Sequence, residues 1–254
     1  MSCEKEDFET SSENEIPVEA QATLEYFDAL GYSKEDFKYD AETESLFFED
    51  FAVPVGYENS PKADGNGEIQ AKNQNYPSAF VNYNQSRNIE YYIERGFPSN
   101  QINPMAWAAY HWSRVSPNIN IRRTYTRSRA DIYIGYYRDS RDVAWARAGL
   151  PTGNGYVGNW LRLNLARGHN NPDHDANDKM ALLMHELGHN LGFLHSDQTA
   201  GYNIPGTGNA AFHARNTCGS IMRSSVFTCG WRTSGRSAWS PSDWRAIGWA
   251  YKLY

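Results

Sequence analysis

The chain has 254 residues, 40% of them hydrophobic and 21% charged, with 8 Trp, 17 Tyr and 11 Phe. That composition excludes a wholly disordered, collagenous or coiled-coil chain and supplies enough apolar surface for a sizeable core. The net charge of −6 divides unevenly: residues 1–66 carry 18 Asp and Glu against 4 Lys and Arg, net −14, and the remainder is net +8.

The two parts should attract, so the acidic leader is either a solvated tail or a segment that docks on the body. The body's excess is mostly Arg, without a clustered basic helix or an aromatic-flanked basic motif, and no nucleic-acid partner is expected. No run approaches the roughly 18 consecutive apolar residues of a membrane span. The opening MSCEKEDFET has no apolar signal core, so an exported form is expected to have lost its signal.

In chain order, residues 1–20 read as an acidic, Ser-rich disordered tether, and residues 21–77 as an acidic leader or pro-segment with its linker. Val18, Ala22, Leu24, Phe27 and Leu30 recur near helical spacing, with Gly31 as a stop. ESLFFEDFAVPV, residues 44–55, reads as a strand or extended segment before a linker rich in Pro, Gly and Asn.

The body, residues 78–254, begins with a strand at 88–94 and a helix at 103–116 stopped by Pro117. Strands follow at 119–126, 130–137, 143–148 and 160–166, then a helix at 177–192 capped by Asn177 or Asp178. Strands around an early helix and a second long helix define an α+β or α/β domain.

The decisive segment is HELGHNLGFLHSD, residues 185–197. His185 and His189 are four apart and project from one helix face as a pair of metal ligands. Gly192 can adopt φ > 0 and end the helix, so the chain turns back and presents His195 as a third. Three neutral imidazoles around Zn2+ leave a fourth position for water, whose pKa falls toward about 7. Glu186 stands beside that position as a general base. Asp197 orients the returning loop by hydrogen bonds or is an ordinary turn residue.

This segment resembles the long zinc signature of the metzincin metallopeptidases, and Ser220-Ile221-Met222, 27 residues beyond His195, resembles their Met-containing turn. Within that clan it is most similar to the dual-action HEIGH metallopeptidases of Bacteroidetes, whose leaders LGYSKEDF and LFFEDFAVP also resemble. The resemblance implies a metzincin-like zincin domain of α+β class. It has a twisted, mostly parallel sheet with an antiparallel edge strand, an active-site helix and a small C-terminal subdomain. It also implies that Met222 is a platform beneath the zinc ligands, and that Val143, Ala144, Trp145, Ala146 and Arg147 form the edge strand on which a protein or peptide substrate adds antiparallel.

Some metzincins carry a Tyr two residues after the turn Met; Ser224 stands there in this chain. Phe47-Phe48-Glu49-Asp50 resembles a degraded form of the FxGD element of astacin-like zymogens, which implies Asp50, or failing it Glu49, as a carboxylate that replaces the water. Exposed charges are the alternative.

A Cys218–Cys229 disulfide would close a short loop, contribute about 3 kcal/mol and imply an oxidising compartment; two free thiols are the alternative. Cys3 resembles the lipidated first residue of a bacterial lipoprotein, and Glu4-Lys5-Glu6-Asp7 resembles an acidic surface-export tag. The expected protein is thus a monomeric, secreted or surface-anchored zinc endopeptidase. Its rival is a surface adhesin or binding module that keeps zinc for stability.

Overall fold

The computed structural model describes residues 16–57, 75–76, 80–152, 154–167, 174–208, 213, 219–224 and 239–251. The leader opens with α1 (Val18–Ala29), which starts inside the stretch expected to be tether and buries Ala20, Thr23, Leu24 and Phe27. Gly31 follows at φ 96°, a left-handed conformation that ends the helix.

Three strands follow, β1 (Lys38–Asp40), β2 (Ser45–Phe48) and β3 (Phe51–Pro54), joined as an antiparallel meander. Residues 44–55, read as one extended run, are thus a hairpin whose tip is Glu49-Asp50 between the paired Phe48 and Phe51. Glu49 takes φ 47°, which lets the chain reverse in two residues.

The body supplies β4 (Asn75–Tyr76), the short helix α2 (Tyr83–Ser86), β5 (Ile89–Ile93), α3 (Ser99–Val115), β6 (Ile121–Arg123) and β7 (Ile132–Tyr137). It continues with β8 (Ala146–Gly149), β9 (Trp160–Asn164), α4 (Ala176–Leu191), β10 (Tyr202–Asn203) and α5 (Pro241–Ala250). The helix α3 starts a turn earlier than its apolar spacing indicated and carries Pro104 inside. There the ring removes one backbone donor without ending the helix.

Eight strands form one sheet in the order β1-β2-β3-β8-β9-β7-β5-β6. The run β9-β7-β5-β6 is parallel and β8 is antiparallel to β9, as expected of a mostly parallel sheet with a reversed strand toward one side. The leader then extends this sheet, because β3 pairs with β8 in parallel, Phe51 opposite Ala148 and Ala52 opposite Gly149. Strand β8 is therefore flanked on both sides, and it starts at Ala146, later than expected. The reason is local: Asp142 Oδ1 accepts the Ala144 N–H at 3.0 Å and turns the preceding residues out of the ladder.

The main core lies between the body strands, α3 and α4, with Trp112, Met105, Ile89, Ile132, Ile134, Leu183 and Leu187 fully buried. A second core joins α1 to the leader strands through Phe27, Tyr32, Phe37, Leu46, Phe48, Phe51 and Tyr57, and includes Leu150, Leu194 and Ala200 of the body. Among the described residues no helix is long and apolar enough to cross a membrane.

Candidate metal centre

The helix α4 is capped by Asp175, two to three residues before its expected caps, in a reciprocal box with Asp178. Its apolar residues Leu183 and Leu187 anchor it in the core, which fixes the axial position of His185 and His189. Gly192 ends it at φ 103°, and the Phe193 N–H closes back on the Gly188 carbonyl at 2.9 Å. The reversal carries His195 beside the other two.

The three rings converge through Nε2: His185 and His189 are 3.0 Å apart there, and His185 and His195 3.3 Å. His185 Nδ1 lies 2.8 Å from the Ile221 carbonyl, and His189 Nδ1 lies 2.8 Å from the Phe193 carbonyl. A carbonyl only accepts, so each Nδ1 carries the proton and donates it. The facing Nε2 atoms of His185 and His189 are then two lone pairs 3.0 Å apart in a buried site, an arrangement that calls for a cation.

The hairpin tip brings Asp50 onto the same point. Its Oδ1 is 2.9 Å from His195 Nε2 and 3.3 Å from His189 Nε2, and its Oδ2 is 3.3 Å from His185 Nε2. Donor atoms of Asp50, His185, His189 and His195 all lie within 4.8 Å of one another. A tetrahedral zinc with bonds near 2.0 Å separates its ligands by about 3.3 Å, so three nitrogens and one oxygen at these spacings fit that ion.

Burial drives His189 down to about 4, against the nearby Asp50 carboxylate, which keeps it a neutral ligand at ordinary pH. Burial also opposes the charge on Asp50, but the surrounding imidazoles outweigh it and hold the carboxyl well below its usual range.

Glu186 follows His185 on α4, is fully buried, and among the described residues neither of its carboxylate oxygens has a hydrogen-bond partner. Burial raises its pKa well above the ordinary value, the Asp50 charge adds to that, and His195 and Arg147 oppose it. It borders a cavity of about 300 Å³ with Glu49, Asp50, Val143, Ala144, Trp145, Ala146, Leu182, His185 and Ser224. Of the expected substrate strand, Val143, Ala144, Trp145 and Ala146 thus reach this cavity. Arg147 instead forms a bidentate pair with Asp142 and lies 4.9 Å over the Phe47 ring.

Met222 is buried against Gly188 of α4, and its carbonyl accepts the Ser196 N–H at 2.8 Å. Asp197 receives the Ser224 N–H at 3.0 Å and the Ser224 hydroxyl at 2.8 Å, tying the returning loop to the segment after Met222. Two residues went unrecognised from sequence. Buried Asp243 accepts from Ser220 Oγ at 2.7 Å and from the Ile221 N–H, holding the turn whose carbonyl orients His185. Asn190 donates to the Gly149 and Trp160 carbonyls, both at 2.9 Å, and fastens α4 to the sheet. Asp243 did carry a signal: Ser240-Pro241-Ser242-Asp243 is a capping box with Pro at the first helical position. Cys3, Cys218 and Cys229 lie outside the described residues.

No family model matches the chain. The sequence is 31% identical over 164 residues to metallopeptidase AprA of Pseudomonas marginalis, a match covering 63% of this chain and 34% of that protein. The chain therefore spans about a third of the length of this curated relative. The structure of myroilysin is matched over 65% of this chain and 93% of its own, at 18% identity and a TM-score of 0.40.

Proposed function

We propose that the chain is a latent zinc endopeptidase of metzincin type. The observation that carries this reading is the pair of proton-free imidazole nitrogens of His185 and His189 facing each other beside an unpartnered, buried Glu186. Zinc held by His185, His189 and His195 would supply Lewis acidity toward a peptide carbonyl and toward water. Glu186 then takes the proton of the attacking water and delivers it to the departing amine nitrogen, so one peptide bond breaks and one water is consumed.

Asp50 is the latency ligand in this proposal. The leader strand β3 runs parallel to β8, the opposite direction to the antiparallel addition expected of a substrate. It covers one end of that strand while Asp50 fills the fourth ligand position. The substrate is a protein or peptide, and the enzyme acts as a monomer. Export with a lipid on Cys3, and the Cys218–Cys229 bridge, belong to the same proposal and rest on sequence pattern.

A second reading has one observation in its favour: four protein ligands are what a structural zinc site has, which would suit a binding module or adhesin. Glu186 weighs against it, since a buried carboxylate without hydrogen-bond partners costs stability and has no use in a structural site. The test is to incubate zinc-loaded wild type and Asp50→Ala with a mixed peptide library and map the cuts by mass spectrometry. Cleavage by Asp50→Ala well above wild type supports the latent enzyme; equal cleavage by both removes the latency role, and no cleavage by either removes the peptidase.

A further inference from the structure

The three imidazoles are not held alike. The Nδ1 atoms of His185 and His189 face backbone carbonyls of the body, Ile221 and Phe193. His195 Nδ1 instead has a charge contact with the leader, not an aligned hydrogen bond: Oε2 of the Glu49 carboxylate is 3.0 Å away. His195 also differs in sitting beyond the end of α4, on the loop that follows Gly192, so no helix fixes its direction. The leader grips this ring from both sides: Asp50 Oδ1 is 2.9 Å from Nε2 and Glu49 Oε2 is 3.0 Å from Nδ1. Phe51, the next residue, sets its ring edge-on to His195, with centroids 6.1 Å apart.

Glu49 is itself fastened. Gln198 Nε2 donates to the same Oε2 at 2.7 Å, and the two-residue hairpin tip holds the Glu49 backbone at φ 47°. Glycine adopts that conformation with least strain. A glutamate there is explained by what its side chain reaches.

We propose that Glu49 is a positioning residue for His195, so that the leader secures the metal as well as covering it. A histidine that ligates through Nε2 keeps its proton on Nδ1, and a carboxylate oxygen beside Nδ1 favours that tautomer electrostatically. The leader thus supplies one ligand and the outer partner of another. Loss of the leader removes both carboxylate contacts to His195, and the body alone holds zinc less tightly than the full chain.

This inference rests on the zinc reading above and is tested by metal affinity. Zinc binding to the full-length chain is measured by competition with a chromophoric chelator for wild type, Glu49→Gln, Glu49→Gly and Glu42→Ala. Outer partners of ligating histidines are typically worth 10- to 100-fold in affinity. Glu49→Gly, which relaxes the backbone and removes the carboxylate, should bind zinc at least about 10-fold more weakly, with thermal stability of the metal-free chain kept or raised.

Glu49→Gln, which keeps an acceptor oxygen, should recover most of the affinity, and Glu42→Ala, exposed on the same leader, should match wild type. In cobalt-substituted protein the Glu49→Gly visible spectrum should shift from that of wild type. Equal zinc affinity and equal spectra for wild type and Glu49→Gly would overturn the role of Glu49. A wild type that binds no zinc would instead overturn the metal reading beneath it.

Discussion

Gly188 lies so close to Met222 that a methyl group on Gly188 would overlap the Met222 sulfur and stand 2.9 Å from its terminal methyl. The contact joins the helix bearing His185 and His189 to the turn whose Ile221 carbonyl orients His185. Gly188→Ala must displace the buried Met222 side chain, and overpacking of this kind costs about 1–3 kcal/mol. We expect calorimetry to show a lowered Tm, and chelator competition to show weaker zinc binding. Met222→Leu, which nearly conserves volume, should cost less than about 1.5 kcal/mol. Unchanged stability and metal affinity in Gly188→Ala would show that the contact is not rigid.

Glu186→Gln should retain zinc and lose hydrolysis by a factor of about 10² to 10⁴, measured against the uninhibited Asp50→Ala background. The same change should raise the Tm, because it removes a carboxylate that burial disfavours and that has no hydrogen-bond partner among the described residues. Loss of zinc in this variant would reassign Glu186 from base to support of the site.

The leader core should set latency at a distance. Phe27 is fully buried and its ring lies within 6.5 Å, centroid to centroid, of Tyr32, Phe37, Phe51 and Tyr57. Phe27→Ala should cost about 3–5 kcal/mol and loosen the hairpin that carries Asp50, so peptide hydrolysis should rise above wild type. Val18→Ala, on the exposed side of α1, should change neither quantity.

Asp142 predicts a pH dependence away from the metal. Burial pushes its carboxyl up, but hydrogen bonds from Arg147, at 2.9 Å to each oxygen, and from Tyr137 Oη, at 2.6 Å, outweigh that and hold it below its ordinary 3.8. A depressed folded-state pKa stabilises the protein fully above 3.8 and progressively less as pH falls toward the folded value. Asp142→Asn should therefore lose about 2 kcal/mol near neutral pH, and its difference from wild type should shrink as pH falls below 3.8. Denaturant titrations of the metal-free proteins across that range check the sign; a difference that grows on acidification would contradict it.

Much of the site was legible because it is local. His185, Glu186, His189 and Gly192 lie in one helix and its stop, where a period of 3.6 and the need for φ > 0 convert spacing directly into geometry. The strands near 89–93 and 132–137 were legible through runs of β-branched and aromatic residues, and that near 160–164 through the alternation of Leu161 and Leu163 with Trp160 and Arg162.

What the sequence left open depends on contacts between distant segments. Residues 44–55 have strand composition throughout, and nothing in Glu49-Asp50 resembles the Asn-Gly or Asp-Gly pairs that announce a two-residue turn, so the hairpin was not apparent. The continuation of the body sheet by β3, and the bonds from Asn190 and Asp243, are likewise set by tertiary packing. Asp50 was accessible through a resemblance, but its approach to three imidazoles more than 130 positions away needed coordinates.

The proposed chemistry depends on a cation among Asp50, His185, His189 and His195. The most direct test is an anomalous difference map at the zinc edge, from crystals of the full-length protein prepared with one equivalent of zinc. A single peak is expected between the three Nε2 atoms and the Asp50 carboxylate. A map without that peak, or with zinc bound elsewhere and the Nε2 atoms turned apart, would contradict it.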